Sequence, residues 1–137
     1  MSGELLEKYS SRLHPERIDR IPPEESEPID DFTAFGFLRG TRDRSLMLEL
    51  RKKDGNVIAL GYAWLEKAEF DPSVGITLHF GSQKITIRGR NLNAEIRPNV
   101  RLFQSLLRHR VPWIQEADEA TTMRSGKGET LVERIEW

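Results

Sequence analysis

Between positions 84 and 110 the chain carries Lys84, Arg88, Arg90, Arg97, Arg101, Arg108 and Arg110 against a single acid, Glu95. Clustered guanidinium groups are suited to phosphate: each offers a planar fork of donors, and neutralising a phosphate backbone releases condensed counterions. If Ile85 and Ile87 point inward from a strand, then Lys84, Thr86, Arg88 and Arg90 share its outer face. On a following helix, Arg101, Ser105 and Arg108 fall at i, i+4 and i+7, opposite a Leu/Phe stripe. Lys84, Arg88, Arg90, Arg101 and Arg108 are therefore the candidate nucleic-acid-binding residues, with RNA or DNA as the ligand. The competing reading is a solvated surface that pairs with the protein's own acids. Residues 1–31 hold nine acids against four bases, and residues 111–137 hold six against three, so a net charge of −1 conceals a basic segment between acidic flanks.

Other chemistry finds little support. The three histidines, His14, His79 and His109, form no HxH, HxxxH or HExxH pair, and cysteine is absent. Neither a metal site nor a thiolate nucleophile nor a disulfide is expected. Asp30-Asp31 reads as a solvated or turn pair, and Asp71, just before Pro72, reads as a turn cap. No GxSxG elbow occurs, and the Ser125-Gly126-Lys127-Gly128 run lacks phosphate-loop spacing. No residue calls for catalysis and none for a cofactor. The aromatic residues Tyr62, Trp64 and Phe80 fall on inward positions of their strands and read as core, as does Trp113.

The elements that would position the basic residues are mainly β. Residues 1–31 read as a polar, acidic segment, flexible unless it docks. Leu5, Leu6, Tyr9 and Leu13 stand there at helical spacing, while Pro15, Pro22, Pro23 and Pro28 prevent a regular element over the remainder of the segment. Residues 32–120 read as one domain. A first strand is expected from Phe32 toward Gly40. Leu46, Leu48 and Leu50 then alternate with Met47, Glu49 and Arg51, and Asp54-Gly55 predicts a type I′ hairpin turn. The return strand puts Ile58, Leu60, Tyr62 and Trp64 on one face, with a bulge or bend at Gly61. Two further strands come next, one through Val74, Ile76, Leu78 and Phe80, the other through Ile85 and Ile87. Asn99 is a plausible N-cap for a helix bearing Leu102, Phe103, Leu106 and Leu107, kinked or restarted at Pro112 and continued by Trp113, Ile114 and Ala117. Residues 121–137 are a tail or an edge strand. The fold class is thus an antiparallel β-meander or small barrel of four or five strands with a C-terminal helix packed on it.

Residues 46–92 resemble the Sm-like small β-barrels. LELRKKDGNVIALGYAWL is similar to that family's opening hairpin, FDPSVGITL to the end of its first motif, and ITIRGRNL to its second. The resemblance implies a ring-forming barrel that binds single-stranded RNA, with Arg88 and Gly89 at the family's positions. Gly75 and Ser73 stand where the family has its base-contacting asparagine and its stacking residue, and the helix here comes after the strands rather than before them.

The start of the chain has no apolar run of a secretory signal, and no stretch is long enough to span a bilayer, so a cytoplasmic protein with no membrane partner is expected. Two functions compete: an interaction module for nucleic acid through the arginine face, and a protein-binding or assembly module, homo-oligomeric or with another partner.

Overall fold

A computed structural model describes residues 28–40 and 42–137; the stripe Leu5–Leu13 and His14 lie outside the described residues. The chain is mainly β. Strands β1 (Ile29–Asp31) and β2 (Gly36–Leu38) form a hairpin. β3 (Met47–Arg51) pairs antiparallel with β4 (Val57–Gly61) and parallel with β8 (Trp113–Gln115). β5 (Leu65–Asp71), β6 (Gly75–Phe80) and β7 (Gln83–Arg90) form an antiparallel meander, and β9 (Leu131–Glu136) adds to β7 as an edge strand. Helices α1 (Leu102–Leu107) and α2 (Glu119–Arg124) are short. The strand orders are β1-β2, β4-β3-β8 and β5-β6-β7-β9, so the meander reading holds and no barrel closes.

Period-two alternation explains the core. Leu48 and Leu50 of β3, Ile76 and Leu78 of β6, and Ile85 and Ile87 of β7 are all fully buried. Phe35, Leu102, Leu106 and Ile114 complete the same cluster. Each such side chain contributes about 1.5–3 kcal/mol when withdrawn from water. Gly89 belongs to this packing: a Cβ there would collide with the Leu131 carbonyl where β9 crosses β7 beside a register shift.

Several local expectations are overturned, each for a physical reason. The expected first strand from Phe32 is instead a hairpin whose first strand lies at 29–31, inside the segment assigned to the tail. Thr33 turns the chain with φ of 72°, and its N–H donates to Asp31 Oδ1 at 2.8 Å. The hairpin after β3 is not a type I′ turn. Only Gly55 takes a positive φ (98°), while Gly55 N–H bonds the Lys52 carbonyl and Asn56 N–H bonds the Asp54 carboxylate. That is a type I turn followed by a left-handed glycine, the other common hairpin solution.

The helix is the largest correction. Asn99 does not cap it. Asn99 sits at φ 66° in a tight turn, its N–H held by Glu95 Oε2 at 2.8 Å, and Arg101 occupies the cap position. At the other end, Arg110 N–H bonds the Ser105 carbonyl and His109 N–H bonds the Leu106 carbonyl, a Schellman closure. The left-handed position that glycine usually fills is taken by His109 (φ 58°), whose ring stacks on Tyr62 at 4.5 Å. With the helix shut there, Pro112 restarts no helix. Its carbonyl accepts Glu49 N–H at 3.0 Å, and Trp113-Ile114-Gln115 runs on as β8. Trp113 therefore packs on a sheet, its indole against Gly36 and under the Arg51 guanidinium, and not on a helical stripe.

Candidate interaction surface

Three of the five basic residues singled out from the sequence have partners within the protein. On β7, Arg88 Nε lies 3.3 Å from Glu136 and Arg90 Nε lies 3.3 Å from Glu133, both carboxylates belonging to β9. Thr86 between Lys84 and Arg88 is buried, which interrupts the expected outer row. Arg101 is half-buried and donates from Nη1 to the Asn93 carbonyl at 2.9 Å. Arg101 and Arg108 flank the six-residue α1 rather than sharing a turn-to-turn face on it. Lys84, Arg88, Arg90 and Arg108 are all exposed, the two middle ones alongside their carboxylate partners. Arg108 stands near Arg110, whose pKa is lowered first by burial and then by the charges of Arg44 and Arg108. The Arg110 guanidinium itself is anchored on the carbonyls of Leu38, Arg39 and Gly40.

The acids have structural work as well. Asp30 is an ion-pair hub, 2.8 Å from Arg39 and 2.7 Å from Arg97, and the hydrogen bond from Arg39, then that from Arg97, holds its carboxyl below the usual range. Asp71 caps its turn as expected, accepting from the N–H and hydroxyl of Ser73, which lowers its pKa. His79 sits on the outer side of β6, 3.9 Å from Glu69. A small cleft of about 210 Å³ opens beside β8, lined in part by Arg51, Lys52, Glu116 and Asp118. Its charged groups are engaged locally. Glu116 accepts from the N–H groups of Lys53 and Ile135, Asp118 caps α2, and Lys52 lies over Trp137.

A different surface has more to offer. β4 is the outermost strand of its sheet, with no described strand beyond it. The bonds Lys52 N–H to Asn56 carbonyl and Tyr62 N–H to Leu46 carbonyl bracket its ladder with β3. Antiparallel alternation then assigns Ile58 and Leu60 to the β3 side and directs the N–H and C=O of Val57, Ala59 and Gly61 off the free edge. From Val57 to Trp64 the sequence VIALGYAW contains no charge. On the outer face of this sheet Val57 is 55% exposed and Met47 46%.

Trp64 belongs to the same patch and is 66% exposed, which corrects its expected place in the core. The period-two pattern ends at Gly61, where a 3-10 turn (Tyr62–Trp64) takes over with three residues per turn. Tyr62 goes inward, its hydroxyl donating to the Val111 carbonyl at 2.6 Å, and burial raises the phenol pKa. Trp64 goes outward and lies along Gly61. A Cβ on Gly61 would meet the Trp64 Cδ1 at 3.3 Å and the Met47 sulfur at 3.8 Å, so the missing side chain seats the indole beside the thioether.

The sequence signal for this surface was present but hidden. An uncharged run reads as core until one knows that β4 has, among the described residues, a neighbouring strand on one side only. Among the described residues no helix is long and apolar enough to cross a membrane, and no group of His, Asp and Glu is placed to hold a metal ion. No protein-family model, no curated protein and no solved structure matches the chain.

Proposed function

We propose that this chain is a protein-interaction module that takes an extended segment of its partner along the free edge of β4. The observation behind the reading is the coincidence of three features on one strand: outward backbone groups on Val57, Ala59 and Gly61, no charge to guard them, and exposed apolar side chains at both ends, Val57 at one and Trp64 with Met47 at the other. Strand addition draws affinity from main-chain hydrogen bonds and specificity from alternate side chains. Tryptophan is enriched among the few residues that dominate binding energy, and methionine adapts to varied partner shapes.

Ala59→Pro is the discriminating variant. The Ala59 N–H points away from β3, so the substitution deletes an edge donor while the β3–β4 ladder keeps its bonds. Peptides selected from a displayed random library against the purified protein should bind the wild type and lose at least about tenfold in affinity for the variant, a loss of about 1.4 kcal/mol. Peptides that bind both forms equally, or none recovered at all, would overturn the reading.

A second reading keeps RNA or DNA as a partner. The Arg88–Glu136 and Arg90–Glu133 pairs are part-exposed, and pairs of that kind contribute only about 0–1 kcal/mol, so a phosphate backbone could compete for the arginines beside Lys84. It is tested by binding to a mixed single-stranded RNA and DNA pool at low and moderate salt. A steep salt dependence, lost in Arg88→Glu with Arg101→Glu, supports it, and no binding at low salt ends it.

A further inference from the structure

We propose that the segment received by β4 is β4 of a second copy, paired antiparallel about a two-fold axis at Ala59. This inference rests on the strand-addition reading and names its partner.

The geometry is self-complementary. The residues whose N–H and C=O leave the edge are 57, 59 and 61, symmetric about 59. A two-fold axis there sets Ala59 against its own copy and Val57 against Gly61, so each outward N–H meets an outward C=O. Closed two-fold contacts demand this property, because the same patch must serve both partners. Residues facing each other across an added strand lie on the same side of the sheet. Val57 of one copy would therefore arrive on the outer face at the other copy's Gly61. Trp64 already lies along Gly61 there, with Met47 on its far side. Val57 and Trp64, two of the exposed apolar side chains of each monomer, would cover one another twice.

Charge is consistent with this partner. Two-fold pairing sets only the residue on the axis against its own copy, and a charge there or on a facing residue of like sign would be costly. Nothing between Val57 and Trp64 bears charge, so no such clash arises. The core-facing Ile58 and Leu60 are only half-buried, β4 having no outer neighbour among the described residues, and a second β4 would supply one. Five residues of edge and two indoles make a contact at the small end of the range for specific interfaces, below about 1,200 Å². The dimer should therefore be weak and concentration-dependent.

The test uses the full chain in sedimentation velocity from about 1 μM to about 500 μM, a span suited to an interface of that size. Wild type should pass from the monomer mass to twice that mass. Ala59→Lys and Ala59→Glu should each stay monomeric, since each sets like charges together at the axis. Mixed one to one, they should recover the dimer. Amide exchange of Val57, Ala59 and Gly61 should slow as wild-type concentration rises. Dimers that form equally well in Ala59→Lys, or no dimer at any concentration, would overturn the inference. So would a monomer in which those amides are already protected, because a segment of the same chain would then occupy the edge. If wild type stays monomeric but selected peptides still bind it and not Ala59→Pro, strand addition stands and only self-pairing falls. If neither occurs, both fall.

Discussion

β4 and β5 are consecutive strands joined by one 3-10 turn, and each is the outermost strand of its sheet, yet they treat their free edges differently. β5 has Glu66, Lys67 and Glu69 along it, with Lys67 3.6 Å from Glu69, and its pairing with β6 slips between Leu65 and Lys67. Charges and irregularities are the devices by which proteins keep an exposed edge from recruiting another chain. β4 has neither: its ladder with β3 is regular and its residues are Val, Ile, Ala, Leu and Gly. Guarding is thus applied strand by strand, and the unguarded edge beside a guarded one is the surface to which the strand-addition proposal assigns pairing.

The comparison can be broken most forcefully from beneath. Leu48→Ala removes a fully buried side chain from β3, the only described strand holding β4. It should cost about 2–5 kcal/mol in chemical denaturation, as large-to-small core changes do. Association through β4 should weaken with it. Next in size is the turn that separates the two edges. Tyr62→Phe leaves the buried Val111 carbonyl without its donor and should cost about 1–3 kcal/mol by the same measurement.

Removing the guard from β5 should sharpen the contrast. Lys67→Val with Glu69→Val gives β5 the apolar character of β4, and new, less specific self-association should appear in sedimentation, including in an Ala59→Lys background. Unchanged behaviour would show that the register slip alone protects β5.

Acid stability offers a control remote from both edges. Asp30 has a depressed folded pKa, so the stability it contributes is present above its unfolded value and is lost as pH falls through the folded one. Thermal melts should show a decline on acidification in this range that is shallower in Asp30→Asn. That variant should cost about 1 kcal/mol near neutral pH and leave self-association intact. The smallest effect is expected at Glu133→Gln, which unpairs Arg90 on a part-exposed surface and should change stability by less than about 1 kcal/mol.

Alternation was a faithful guide wherever a strand had one wet and one dry face, as at Leu48/Leu50, Ile76/Leu78 and Ile85/Ile87. It misled at Trp64, where three residues of 3-10 turn shift the phase, and at Trp113-Ile114, where a short apolar run fits a helix or a strand equally well. Which of these two was adopted depended on His109 taking a left-handed conformation against Tyr62, a contact between positions far apart in the chain. The basic residues were legible as a cluster, but the carboxylates that meet Arg88 and Arg90 come from β9, more than forty positions away, and strand pairing alone brings them there.

The amino-acid sequence determined the β-rich class, the β6–β7 hairpin, the hairpin at Gly55 and most of the core, because these arise from local periodicity and turn chemistry, whereas β5 (Leu65–Asp71) bears no alternation that singled it out. The tertiary structure alone decided which strands stand at an edge, which arginines meet a carboxylate, and that the uncharged run Val57–Trp64 faces outward on one side. Those outcomes depend on neighbours distant in sequence, and whether a residue has a neighbour is not a property its own side chain can encode.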